Sequence, residues 1–147
     1  MRQAIDLTKD VRNEMRRRVI AALGMPNMEK RWQLPNAVIK KPGSGIWIRE
    51  SINEGSEEVL TNVAARQYAV VNYEVFCLAG KGADEADNAI RIIRNELPVI
   101  GEKSIVYQKG RRQAVIQKID KPAGGISPDD PTWYRRMISF TLYLYNV

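Results

Sequence analysis

The 147-residue sequence contains no histidine. Histidine is the commonest general base in enzymes and the commonest metal ligand, so its absence removes both roles at once. No other pattern in the sequence pairs a nucleophile with a base. We therefore predict a protein that is not an enzyme and that has no catalytic, metal or cofactor site. Tyrosine, lysine and carboxylates can also transfer protons, so an enzyme stays as an alternative.

Cysteine and long apolar segments are also scarce. Cys77 is the single cysteine, which excludes an internal disulfide and is typical of a reducing compartment. No apolar run approaches the roughly 20 residues that span a bilayer, and the first residues lack the apolar segment of a signal peptide. We expect no membrane partner.

Basic residues exceed acidic ones, 23 to 17, which gives a net charge of +6. Such a balance suits a negatively charged partner, nucleic acid included. The basic residues are scattered, and the best local cluster is Lys109, Arg111 and Arg112. A solvated basic surface is the commoner explanation of such scattered charge, and both interpretations stay open.

The segment from Arg66 to Leu78 is rich in β-branched and aromatic residues and contains neither proline nor glycine. That composition predicts a strand. Apolar residues alternate on both of its faces, with Val71, Tyr73, Val75 and Cys77 on one and Tyr68, Val70, Phe76 and Leu78 on the other. A strand of this kind is usually central, and we expect both faces to be covered.

Two helices are predicted, over about 6–23 and about 84–97. The first has apolar residues at every fourth position, which are Leu7, Val11, Met15, Val19 and Leu23. The second has an apolar stripe at helical spacing, which we expect to be buried; its residues are Ala86, Ala89, Ile90, Ile93 and Leu97. The Gly80, Lys81 and Gly82 turn before the second helix lacks the spacing of a phosphate-binding loop, so we interpret it as a tight connection.

The remaining segments predict a hairpin and C-terminal strands. A strand begins near Gly45, an acidic tip or flexible loop follows over 53–61, and the hairpin closes at about 78. Strands are expected within about 103–145, and Trp32 is expected to anchor an irregular segment on the core. We predict one α+β domain over 1–147, with an antiparallel or mixed sheet of about four to five strands, an N-terminal helix and a second helix packed on it.

The last predicted strand has two different faces. Ile138, Phe140, Leu142 and Leu144 alternate toward the core, whereas Tyr143 and Tyr145 point outward. Exposed tyrosines are typical of protein interfaces, although a solvated outer face is an equal alternative.

This order of elements resembles the phage tail terminator-like proteins, also called minor tail or tail-completion proteins. The resemblance covers most of the chain from about Trp32 onward. Its residues are Pro35 and Asn36; Trp47, Ile48 and Arg49; Arg66, Gln67 and Tyr68, leading into Val71, Tyr73, Val75 and Phe76; the Gly80, Lys81 and Gly82 turn; Ala83 and Ala86; and Trp133 and Tyr134. The acidic tip at 53–61 is longer than in that family.

The resemblance implies a structural virion protein, assembled in the host cytoplasm, that forms a ring, typically a hexamer, on the head-proximal end of the tail tube. Its implied partners are other copies of itself, the tail tube protein, the head-completion or connector protein, and DNA passing through the lumen without sequence-specific binding. A ring needs two different patches that meet. For the subunit interface we expect Trp47, Arg49, Tyr143 and Tyr145, and for the lumen Arg111 and Arg112.

Two alternatives accompany this hypothesis. Another head–tail connector or neck protein would have the same sequence features. A basic nucleic-acid-binding domain would also explain the net charge, and its binding would weaken steeply with salt.

Overall fold

The computed structural model describes residues 4–61, 64–80, 83–122 and 124–146. Lys81 and Gly82, part of the predicted glycine turn, lie outside the described residues. The helices and strands, in chain order, are α1 (Ala4–Leu23), β1 (Trp32–Gln33), β2 (Trp47–Thr61), β3 (Ala64–Leu78), α2 (Asp84–Glu96), β4 (Ile105–Lys109), β5 (Arg112–Asp120), β6 (Gly125–Ile126) and β7 (Trp133–Asn146).

The strands form one seven-stranded sheet in the order β1-β2-β3-β7-β5-β4, with β6 beside β7. β1 is parallel to β2, and every other neighbouring pair is antiparallel. The α+β class with a mixed sheet is therefore correct, whereas the predicted four to five strands are too few. The strands without a prediction are β1 and β6, whose two residues each are too short to show an alternating pattern.

Helix α1 buries the predicted stripe at Val11, Met15 and Val19, each at most 1% exposed. The fourfold spacing places these side chains on one face of the helix. The helix ends at Leu23 because Gly24 adopts a positive φ of 63° and donates its N–H to the Ile20 carbonyl at 3.2 Å. This left-handed residue after the last turn is a common helix stop.

Helix α2 buries Ala86, Ala89, Ile90 and Ile93, and Leu97 after it is also buried. The two helices pack on the same face of the sheet, against β3, β4 and β7. None of the described helices is both long enough and apolar enough to cross a membrane.

The core lies between the helices and one face of the sheet. Val71, Tyr73, Val75 and Cys77 of β3 and Ile138, Phe140, Leu142 and Leu144 of β7 all belong to it, as predicted. The expectation that β3 is covered on both faces is wrong. Tyr68, on the other face, is 41% exposed, because the helices lie on the core side and a separate small cluster covers that face only near Phe76.

Strand β2 extends to Thr61, so the loop predicted over 53–61 is wrong. Its backbone pairs with β3 up to the contact of Thr61 with Ala64, with an irregularity between Glu54 and Glu57. Gly55 lies at that irregularity, where a Cβ atom would come within 2.9 Å of the Tyr68 ring. Pairing with a long partner strand therefore overrides the weak strand preference of this acidic segment.

Candidate subunit interface

The face of the sheet opposite the helices, which we call the open face, carries three groups of side chains along the strands. The cross-strand register places Trp47 beside Phe76 at one end, Arg49 beside Glu74 in the middle, and Tyr68 beside Tyr143 toward the other end. Phe76 lies eight positions after Tyr68 on β3, a distance of roughly 27 Å at about 3.4 Å per residue.

At the first end, Trp47 stacks on Phe76 with ring centroids 4.0 Å apart, and Trp133 meets Trp47 edge-on at 5.8 Å. Ile39 packs against this cluster, and the Lys41 ammonium lies 5.3 Å from the Trp47 ring. Trp47 is 2% exposed. This residue, predicted at a subunit interface, instead packs inside its own chain, where its indole is not accessible to a neighbour.

In the middle of the open face, the Glu74 carboxylate lies between two arginines. Arg49 donates from Nε and Nη2 at 2.9 and 3.1 Å, and Arg135 donates from Nη1 at 2.9 Å. The hydrogen bonds from Arg49 to Glu74 raise the pKa of Arg49, although partial burial opposes the rise. About a third of the Arg49 side chain is exposed, so this predicted interface residue is accessible but already paired.

Between the ion pairs and the tyrosine end, the open face has a row of neutral polar groups. Ser139 donates its hydroxyl to Asn72 at 2.5 Å, and the Asn72 amide lies 3.4 Å from the Ser51 hydroxyl. This row joins β2, β3 and β7 across their width.

The tyrosine end contains Tyr68, Tyr143, Tyr145 and Arg66. The Arg66 guanidinium lies 4.6 Å from the Tyr143 ring centroid, and Tyr143 lies 6.0 Å from Tyr68 and 6.3 Å from Tyr145. Tyr143 and Tyr145 are half-buried and Tyr68 is exposed. The predicted pair of tyrosines thus lies in an accessible cluster, which the sequence analysis had missed in part because it assigned Tyr68 to a covered face.

The basic turn between β4 and β5 lies at this same end of the sheet. Gln113, next to Arg112, pairs with Tyr145 in the β5–β7 register. Arg111 is exposed, and Arg112 is half-buried with two guanidinium nitrogens that make no hydrogen bond within the described residues. The structure therefore places the basic turn at the same end of the sheet as Tyr143 and Tyr145, away from Trp47 and Arg49. Arg112 shares its side of β5 with the buried Ala114, so it lies on the helix side of the sheet and not on the open face.

A buried ion cluster around Glu50 was not predicted. Glu50 accepts hydrogen bonds from Arg12 at 3.0 Å, from Arg16 at 2.9 and 3.0 Å, and from the Trp32 indole at 3.0 Å. Burial, followed by the charge of Glu50, raises the pKa of Tyr73 well above its ordinary value. The alternation of Ile46, Ile48, Glu50 and Ile52 was the available signal, because it puts one carboxylate in an apolar row.

Within the described ranges, no group of three or more acidic or cysteine side chains is arranged to hold a metal ion. The arrangement offers accessible aromatic rings, cationic side chains and long strand edges. Such features are found where proteins recognise other macromolecules.

The fold defines the class of protein as α+β, with two helices on one face of a mixed sheet. No family model matches the chain. No curated protein matches it either. A solved structure whose name states no function has a TM-score of 0.67 to this chain and 15% sequence identity, with 92% of this chain and 94% of that chain covered. At that identity the likeness shows the fold alone.

Proposed function

We propose that this protein is a structural subunit of a bacteriophage tail that assembles into a ring, most simply a hexamer, and caps the head-proximal end of the tail tube. In this role, which resembles that of a tail terminator, it stops tube growth and offers a surface for head joining. A neighbouring position in the neck, as another head–tail connector protein, would use the same surfaces. In either position DNA passes through the ring without sequence-specific binding.

The observation that carries this proposal is the accessible end of the open face. Tyr68, Tyr143 and Tyr145 form a contiguous aromatic cluster, and the helices cover the opposite face of the sheet. Tyrosine and arginine are enriched where protein interfaces hold most of their binding energy. We assign this cluster to contacts with the tail tube protein or the connector.

The experiment has two stages. Light scattering over a range of concentrations, followed by negative-stain images, measures whether the purified protein forms closed rings. Binding to purified tail tubes is then measured for the wild type and for the double variant Tyr143→Ala/Tyr145→Ala. We expect rings, either free or on tube ends, and at least tenfold weaker tube binding by the variant.

The matched control is Arg91→Ala, which removes an exposed side chain on α2. We expect it to bind tubes like the wild type. A wild-type protein that stays monomeric at every concentration and does not bind tubes would overturn the proposal. Tails of normal length in particles that lack this protein would also overturn it.

A second candidate function is binding of single-stranded nucleic acid. The observation that favours it is the Arg66 guanidinium on the Tyr143 ring, beside other accessible rings. Bases stack on exposed aromatic side chains and arginine, and basic surfaces follow the phosphate backbone. Fluorescence anisotropy with a labelled oligonucleotide at about 50 and 200 mM salt tests it, because phosphate contacts weaken steeply over that range. No binding at the lower salt would exclude it.

A further inference from the structure

The two outer edges of the sheet are open in different ways. Along β2, the parallel strand β1 pairs only as far as Arg49, so the backbone from Glu50 to Thr61 has no strand partner on its outer side within the described residues. At the opposite edge of the sheet, β4 pairs only with β5. Unpaired strand edges are ready-made sites for another strand to join.

A groove borders the β4 edge. It has a volume of about 580 Å³ and is lined by Glu14 and Arg18 of α1 and by residues 105–108 of β4, with Glu102 before them. Arg18 donates to the Lys103 and Ile105 carbonyls at 3.3 and 3.4 Å, which covers the start of the edge. The groove borders β4 as far as Gln108.

The two sequence segments that contain these edges have opposite net charge. Residues 53–67 contain three acidic residues, Glu54, Glu57 and Glu58, and one basic residue, Arg66, which gives a net charge of −2. Residues 108–113 contain three basic residues, which are Lys109, Arg111 and Arg112, and no acidic residue.

The register aligns these segments across the sheet. Glu58 pairs with Arg66, Arg66 with Tyr145, Tyr145 with Gln113, and Gln113 with Gln108. Four antiparallel steps separate β2 from β4, so the two strands run in the same direction. A copy of the chain placed beside another in the same orientation would therefore set Gln108 of one next to Glu58 of the other, in a parallel strand pair.

We propose that the β4 edge of one copy pairs with the β2 edge of the next copy, with the basic β4–β5 turn against the acidic half of β2. This assignment rests on the proposed ring and gives it the head-to-tail contact that a ring requires. Two-fold pairing of β2 with β2, or of β4 with β4, would oppose like charges, so the charge pattern disfavours a closed dimer. The basic turn then faces a neighbouring subunit rather than the lumen.

Charge reversal tests the pairing. The first variant is Lys109→Glu/Arg111→Glu/Arg112→Glu, and the second is Glu54→Lys/Glu57→Lys/Glu58→Lys. Each variant has like charges on both edges, so we expect self-association at least tenfold weaker than in the wild type at low salt. An equimolar mixture of the two should recover assembly, because each edge then meets its opposite. Light scattering and native mass spectrometry measure this.

The matched control is Lys121→Glu/Arg91→Glu/Arg94→Glu, which changes the net charge as much as the first variant at exposed positions outside β2 and β4. It should assemble like the wild type. Far-ultraviolet circular dichroism establishes that each variant is folded before assembly is compared.

Cross-linking gives a second measurement that does not depend on the charges. In a Cys77→Ala background, Glu58→Cys protein mixed with Gln108→Cys protein should be joined by a short bis-maleimide, and neither protein should cross-link to itself. Self-linked dimers, or a wild type that forms rings while the mixture of the two variants does not assemble, would overturn the edge pairing and leave the ring proposal intact. A wild-type protein that is monomeric alone and on tail tubes would overturn both.

Discussion

Replacing Glu50 by glutamine should destabilise the protein by about 3 kcal/mol. The Glu50 side chain is fully buried, and its two oxygens accept four hydrogen bonds from Arg12, Arg16 and Trp32. An amide has one oxygen, so two of the four donors lose their acceptor. Hydrogen bonds to charged groups contribute about 1.5–3 kcal/mol each.

The loss of free energy of unfolding should lie in the lower part of the range for two such hydrogen bonds. About a fifth of each arginine side chain is exposed, so water can solvate part of the charge that loses its partner. In urea denaturation, with an m-value of about 2 kcal/mol/M, the midpoint should fall by about 1.5 M with little change in slope.

The matched control is Glu14→Gln. Glu14 pairs with Arg17 and Arg18 on the surface of the same helix, and its side chain is 28% exposed. Exposed pairs contribute about 0–1 kcal/mol, so its midpoint should stay close to that of the wild type. A Glu50→Gln variant that unfolds within about 0.5 kcal/mol of the wild type would refute the view that the buried carboxylate neutralises the arginines.

Four further outcomes follow from the packing, each measured by urea denaturation. The Tyr73 hydroxyl is buried without a hydrogen-bond partner among the described residues, so Tyr73→Phe should stabilise by about 1 kcal/mol. Because burial raises the folded pKa of Tyr73, the unfolded chain ionises this tyrosine at a lower pH than the folded chain, and the protein should lose stability as pH rises above about 10; Tyr73→Phe should reduce this alkaline loss. An alkaline slope in Tyr73→Phe equal to that of the wild type would contradict the assignment. Trp47→Ala should cost about 3–5 kcal/mol, and a loss below 1 kcal/mol would show that its cluster is not a packed core. Tyr107→Phe should cost about 1 kcal/mol through the lost 3.2 Å hydrogen bond to Asp10, and an unchanged midpoint would show that this bond is solvent-exchanged.

The sequence patterns predicted the helices and the buried faces of β3 and β7 because single faces are uniformly apolar there. Val11, Met15 and Val19 repeat with the period of a helix, and Ile138 and Phe140 alternate with the period of a strand. The spacing of apolar residues within one element is enough to predict its buried face, because it does not depend on which distant segment packs against it.

The patterns failed where pairing between distant segments decides the structure. The acidic half of β2 has only a weak strand preference of its own, yet β3 pairs with it as far as Thr61. Trp47 was predicted at an interface, but Phe76 and Trp133, which are distant in sequence, contact it once the sheet has formed. In the same way, Glu50 finds Arg12 and Arg16 across more than 30 positions of the chain.

The position of β7 restricts how this chain can be made. Although it comes last in chain order, β7 lies between β3 and β5 and joins the two hairpins into one sheet. During synthesis, the β3 edge of the β2–β3 hairpin therefore stays unpaired until β7 has left the ribosome. Unpaired strand edges favour aggregation during this period. Expression at lower temperature, or with chaperones in excess, should raise the soluble yield for this reason.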